Sequence, residues 1–182
     1  TQHKFAFHLS LMLLTRKTEL LHSTWDCIDF SQYTFTIKES KMDSQLVIPL
    51  PIQAVEFFKK LKILSQGSNY VFVGRSGINL PVSVTTLNWI LKPFNESMFG
   101  KDKINYFTVH DLRRTGATLL SEMGYPSDYI EVALNHSKGG MKQVYQRSKF
   151  LEQRKEMLQK WANELDKLIE PELLPYNKDF II

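Results

Sequence analysis

Apolar residues crowd the start of the chain, at Phe5, Phe7, Leu9, Leu11, Met12, Leu13 and Leu14, and predict a buried helix. A second helical piece is expected over about Lys17 to His22. Asp26 to Phe30, Tyr33 to Lys38 and Leu46 to Leu50 are short runs of β-branched and aromatic residues and predict strands. The polar run Glu39 to Ser44 is the expected turn between the last two, which puts Lys41 at or near a hairpin tip. Helical spacing returns at Ile52, Val55, Phe58 and Leu61. Tyr70 to Val73 reads as a short extended piece ended by the Gly74-Arg75-Ser76-Gly77 turn. Ser83 is the expected cap of a helix to about Met98, with Leu87, Ile90, Leu91 and Phe94 on one face. Thr108 caps a predicted helix from His110 to Met123, stopped by Gly124, and Ser127 starts another that runs to about Leu134. A short helix around Tyr145 and an amphipathic helix from about Leu151 to Ile169 complete the pattern, with Pro171 and Pro175 ending the latter. The fold class is α+β, mainly α-helical with a small antiparallel β-sheet. Residues 1–169 form one domain, and 170–182 form a C-terminal tail.

Composition narrows the class. The chain has 182 residues, 43% of them hydrophobic and 12% aromatic, enough for one domain with a sizeable core and unlike a disordered segment. A net charge of +4 and a pI near 9.1 favour a polyanionic partner, though mildly. The single cysteine, Cys27, excludes an intrachain disulfide and suits a reducing compartment. No apolar run reaches the ~18 residues of a membrane span. The start, Thr1-Gln2-His3-Lys4, has neither an initiator methionine nor the pattern of a signal peptide, so the chain is expected to begin inside a longer protein.

The candidate chemistry lies in basic side chains that precede one late tyrosine. Breaking a phosphodiester without metal needs a nucleophile, cationic donors for the non-bridging oxygens, an acid for the leaving oxygen, and alignment of the attack. Arginine suits the second task because its planar fork binds two oxygens and stays protonated. Lysine can serve as the acid, histidine can donate or move a proton, and tyrosine can form a phosphoester. His110 and Arg113 are three apart at the start of a predicted helix, so both project from one face where exposed N–H groups also favour an anion. Alone, each residue has an ordinary explanation. HxxR is a common polar turn, Arg16 beside Glu19 is a surface ion pair, and Lys41 is a solvated lysine. His136 is a helix-end residue, and Tyr145 is a half-buried aromatic. The five histidines contain no HExxH or close ligand cluster, which argues against a metallohydrolase.

Together the residues are more specific. Leu13-Leu14-Thr15-Arg16-Lys17-Thr18-Glu19-Leu20, Trp25-Asp26-Cys27-Ile28-Asp29, Lys41 with Val47-Ile48-Pro49-Leu50, His110-Asp111-Leu112-Arg113-Arg114-Thr115, Leu134-Asn135-His136 and Val144-Tyr145 arrive in the order of the boxes of the tyrosine recombinases, the phage-integrase family. The chain resembles that family over residues from about 5 to 165, and is most similar to prophage and genomic-island integrases in its Gly139-Gly140 spacing to Tyr145. Asn135 stands where the family usually has glycine, a departure that the same left-handed helix cap tolerates. The resemblance implies the DNA breaking-rejoining catalytic fold and a reaction without metal or other cofactor. It implies Tyr145 as nucleophile, Arg16 and Arg113 on phosphate oxygens, Lys41 as acid, His110 as a proton-transfer or phosphate-binding group, and His136 as a further hydrogen-bond donor to phosphate. Arg114, Lys138, Lys142 and Arg147 are either flanking DNA contacts or solvated cations. The implied partners are double-stranded attachment sites, further protomers in a tetramer and accessory DNA-bending proteins, with no membrane. The implied location is bacterial cytoplasm or nucleoid. N-terminal DNA-binding domains would lie outside this chain. Two rival activities share the pattern: topoisomerase-like relaxation of DNA, and DNA binding without cleavage.

Overall fold

The structure is a computed structural model that describes residues 2–38, 45–98, 106–136 and 150–169. Helix α1 (Gln2–Leu13) is the central element, with Ala6, Leu9, Met12 and Leu13 withdrawn from solvent. It packs on α2 (Lys17–Leu21), α3 (Ile52–Leu64), α5 (Val109–Glu122) and α7 (Leu151–Lys167). Burial on several sides explains its apolar density: a helix with neighbours on several sides keeps only a narrow wet face, here marked by Lys4. Phe5 and His8 both lie against Phe57 of α3, at ring-centroid distances of 5.4 and 5.3 Å. The Trp161 indole of α7 donates to the Leu11 carbonyl at 3.1 Å, so its polar edge is satisfied within the core.

A three-stranded antiparallel sheet runs in the order β1 (Ile28–Asp29), β2 (Thr34–Lys38), β3 (Gln45–Pro49). Its register pairs Phe35 with Ile48 and Ile37 with Leu46, and all four point into the core, as the two-residue period of a strand requires. The first strand is shorter than its sequence suggests. Trp25–Cys27 form a 3-10 turn, and only Ile28 and Asp29 enter the ladder. Tyr70 makes an isolated bridge to Thr24, and Val73 bridges Pro81 and so closes the loop that contains Gly74–Gly77.

Helical periodicity misplaces two faces. Ile52, expected in the core, is exposed, and Gln53 is fully buried in its place. The amide of Gln53 bonds Asn163 at 2.8 Å and Asp166 at 2.9 Å, while Gln159 returns a bond to the Gln53 carbonyl oxygen at 2.9 Å. These partners lie more than a hundred residues away, so no local pattern reports them. In α4 (Thr86–Met98) Leu87 is buried but Ile90 is exposed. Ser83 is not the helix cap either. Its hydroxyl accepts the Thr85 N–H at 3.3 Å in a turn before the helix begins. Asn95 is buried and pairs with both backbone groups of Phe107, at 2.8 and 3.2 Å, which sets the entry to α5.

Thr108 begins α5 as expected, and Asp111 completes the cap by accepting from the Thr108 N–H at 2.9 Å and its hydroxyl at 2.8 Å. Helix α6 (Ser127–Ala133) follows Pro126, which takes the capping position expected of Ser127. Gly116, in the middle of α5, faces the C-terminal end of α1 with no room for a side chain. A Cβ there would sit 2.5 Å from Leu14 Cδ2 and 3.5 Å from the Trp161 ring. Helix propensity alone would favour a larger residue by ~1 kcal/mol, but overpacking a closed core costs ~1–3 kcal/mol and prevails. Gly116→Val is therefore expected to lower unfolding free energy by about 2 kcal/mol, measured by urea denaturation.

Candidate active site

Arg113 projects from the second turn of α5 into the interior and is only 3% exposed. Its Nη1 donates to the Leu14 carbonyl at 2.6 Å, and its Nη2 donates to the Leu134 carbonyl. Leu14 immediately follows α1 and Leu134 immediately follows α6, so one guanidinium caps the C-terminal ends of two helices. Those ends carry unpaired carbonyls and the negative pole of the helix dipole, which is where a cation is most favourable. The backbone bends sharply at both ends. Leu14 has φ +55° and Asn135 has φ +47°, the left-handed region that usually takes glycine or asparagine. Burial, followed by the charge of Arg16, lowers the Arg113 pKa to about 10, and Glu19 and Glu131 oppose the shift. The side chain therefore remains a cation at neutral pH.

Arg16 approaches the same junction from the other side. Its Nη2 donates to the Asn135 carbonyl at 3.1 Å, and its Nη1 pairs with Glu19 Oε1 at 2.7 Å. The second oxygen of Glu19 accepts the Arg16 backbone N–H at 2.7 Å and lies 4.0 Å from Arg113 Nη1. The Asn135 amide reaches Glu19 Oε1 at 3.4 Å. Glu19 is thus a single carboxylate between two arginines. In the sequence it reads as an ordinary ion-pair partner, although it stands inside the box that carries Arg16. What its spacing could not reveal is Arg113, ninety-odd residues later.

A cleft of about 390 Å³ opens beside the pair, lined by Arg16, Lys17, Asn88, Thr108, His110 and Arg113 among others. His110 is exposed on the first turn of α5, one turn from Arg113. The structure thus brings together Arg16, His110 and Arg113. His136 does not line this cleft. It adjoins Asn135, and its Nδ1 lies 3.0 Å from Glu131 Oε2. Arg114 is exposed and 3.5 Å from Asp111. Lys41, Tyr145, Lys138, Lys142 and Arg147 lie outside the described residues. Lys17 and Asn88 line the cleft without having stood out in the sequence: a lone lysine and a helix-surface asparagine carry no signal of their own. Among the described residues no group of three or more metal-ligating side chains converges, and no helix is long and apolar enough to cross a membrane.

Two cations share one carboxylate, beside a histidine and the N-terminal turn of a helix, so the cleft suits an anion with several oxygens. Residues 1–152 match the Phage integrase family, and the chain belongs to it. It is 34% identical over 160 residues to the prophage integrase IntA of Escherichia coli (strain K12), an alignment covering 86% of this chain and 37% of that protein. Among solved structures it is similar to the integrase from mycobacterium phage Brujita, with a TM-score of 0.65 and 16% identity over 88% of this chain and 52% of that one. A lambda integrase tetramer bound to a Holliday junction is also similar, with a TM-score of 0.56 and 20% identity over 84% of this chain and 43% of the other. The fold is that of tyrosine recombinase catalytic domains. The chain spans well under half the length of IntA.

The double cap makes a specific demand on stability. Lysine keeps the charge at position 113 but cannot reach both carbonyls, and leaving a buried carbonyl unpaired costs ~1–3 kcal/mol. Arg113→Lys is expected to lower unfolding free energy by about 2 kcal/mol in urea melts, in addition to any effect on activity.

Proposed function

We propose that this chain is the catalytic part of a site-specific DNA recombinase that cuts and rejoins duplex DNA through a 3′-phosphotyrosyl intermediate, integrating or excising a mobile element. The observation that carries the reading is the placement of Arg16 and Arg113 around one carboxylate, on the cleft that His110 also lines. Each guanidinium spends only part of its donor fan on backbone and Glu19, which leaves N–H groups for phosphate oxygens.

In this mechanism the Tyr145 phenolic oxygen attacks the backbone phosphorus and a new P–O bond forms. The bond to the 5′ oxygen breaks, its electron pair stays on that oxygen, and Lys41 supplies the proton that makes it a hydroxyl. The phenol loses its proton to His110 or to solvent beside it. Arg16 and Arg113 hold the non-bridging oxygens as charge builds, and His136 contributes a further hydrogen bond. Fixed donors of this kind are each worth roughly a hundredfold or more in rate. The phosphotyrosyl ester retains the energy of the broken bond, so a second 5′-hydroxyl can reverse the step and join a new partner without metal or ATP.

Residues 1–169 form the catalytic domain in this reading and 170–182 a tail, with DNA-binding domains supplied by sequence upstream. The length of the related integrases supports that division. The partners are double-stranded attachment sites and further copies of the recombinase, as in the lambda integrase tetramer on its junction, with accessory DNA-bending proteins assisting assembly. Arg114, Lys138, Lys142 and Arg147 contact flanking phosphates, which makes binding salt-dependent. The bacterial cytoplasm or nucleoid is where such DNA is found.

A nicked suicide substrate, from which the small leaving strand diffuses away, tests the chemistry directly. The native chain is expected to accumulate a detergent-resistant protein–DNA adduct, and Tyr145→Phe to form none while still shifting the DNA on a gel. An adduct with Tyr145→Phe would remove Tyr145 as the nucleophile. Relaxation of plasmids lacking any attachment site would favour topoisomerase activity instead.

A further inference from the structure

Glu131 is a carboxylate that the mechanism above does not use, yet it holds a histidine that the mechanism does use. It lies near the C-terminal end of α6, and His136 follows that helix closely. Glu131 Oε2 is 3.0 Å from His136 Nδ1, and the Glu131 backbone carbonyl accepts the His136 N–H at 3.1 Å. One residue therefore fixes both the backbone and the ring of His136. An ionised carboxylate only accepts, so Nδ1 carries the proton of the side-chain bond. Nε2, on the other edge of the ring, has no partner among the described residues.

The pair adjoins the arginine junction. The two residues before His136 give their carbonyls to the two guanidiniums, Asn135 to Arg16 at 3.1 Å and Leu134 to Arg113. His136 is thus one peptide step, about 3.8 Å, from a residue that Arg16 already holds. Its ring is exposed and so open to a ligand seated on that junction. We propose that Glu131 is a positioning residue for His136: by holding Nδ1–H it fixes the ring and leaves Nε2 for a phosphate oxygen at the junction of Arg16 and Arg113. The inference rests on His136 being a phosphate donor. It also defines the form in which the ring meets the phosphate. A ring that gives Nδ1–H to a carboxylate donates from Nε2 only when both nitrogens are protonated. His136 then brings a positive charge along with its hydrogen bond, and charge-assisted bonds are the stronger kind. Glu131 is the counterion of that cation, as Glu19 is of Arg16.

Two measurements on the full chain test this. Nitrogen-15 spectra in alkaline buffer, where histidine rings are neutral, read which ring nitrogen carries the single proton. The native chain is expected to show it on Nδ1, and Glu131→Ala to move it to Nε2, the form that a free histidine ring prefers in water. A proton on Nε2 in the native chain overturns the inference, and the native spectrum decides this without any variant. The second measurement is a double-mutant cycle on the suicide substrate. His136→Ala is expected to slow adduct formation by about a hundredfold. Glu131→Ala is expected to slow it by about tenfold, as loss of a histidine's outer partner does at metal sites. Because Glu131 acts through the ring, adding Glu131→Ala to His136→Ala is expected to cost nothing more. Glu131 also acts on Arg113 through its charge, and a role of that kind would keep its tenfold loss after the ring is gone. Such additivity overturns the proposal. Faster cleavage by Glu131→Ala would make the pair a latch that restrains His136, and overturns it as well. If His136→Ala cleaves at the native rate, the reading of His136 as a phosphate donor has failed. The inference then falls with it, while the assignment of the nucleophile stands.

Discussion

The structure depends on the hydrogen bonds by which Arg113 holds the ends of two helices. Leu14 and Leu134 present carbonyls at the ends of α1 and α6, where a helix leaves its last acceptors unpaired. A buried cation between them satisfies both and complements the dipoles. The cost is desolvation of a guanidinium, and Glu19 offsets part of it from 4.0 Å away. Remove the arginine and three elements lose their common anchor: the loop that carries Arg16, the turn that carries His136, and the helix that carries His110. Packing and site geometry are therefore one constraint.

Glu19 extends that constraint outward. It is largely buried, it accepts from the backbone and side chain of Arg16, and it faces Arg113. Two guanidiniums at a shared junction would repel each other, and a carboxylate between them holds both in place. The same device organises the chain elsewhere. Arg154 is buried against the backbone of β3, and Gln53 gathers Gln159, Asn163 and Asp166. In each case one polar side chain inside the core joins segments about a hundred residues apart or more, and directional bonds fix a register that apolar contact would leave loose.

Local signals in the sequence revealed much of this arrangement. The dense apolar run identified α1 as a central helix, Thr108 announced the start of α5, and Asn135 before His136 suited the left-handed turn observed there. The alternation at Phe35 and Ile37 against Leu46 and Ile48 was equally plain. Failures occurred where a distant partner overrides a local rule. Ile52 satisfied a helical period but lies outside, because Gln53 finds its hydrogen bonds on α7. Asp26 to Phe30 carried strand-like residues, but Trp25–Cys27 form a 3-10 turn and only Ile28 and Asp29 are strand. At the candidate site, the order of basic residues singled out Arg16, His110 and Arg113, which line one cleft. It could not show that Arg113 would spend donors on helix carbonyls, or that Lys17 and Asn88 would line the same cleft.

The carboxylate between the arginines also bears on what the cleft will ignore. A cell contains millimolar quantities of small free anions, and two uncompensated guanidiniums side by side would be occupied by them much of the time. With Glu19 already in residence, the excess charge is closer to one than to two. An acidic residue that weakens the local field in this way lowers the pull of the pocket on any small free anion.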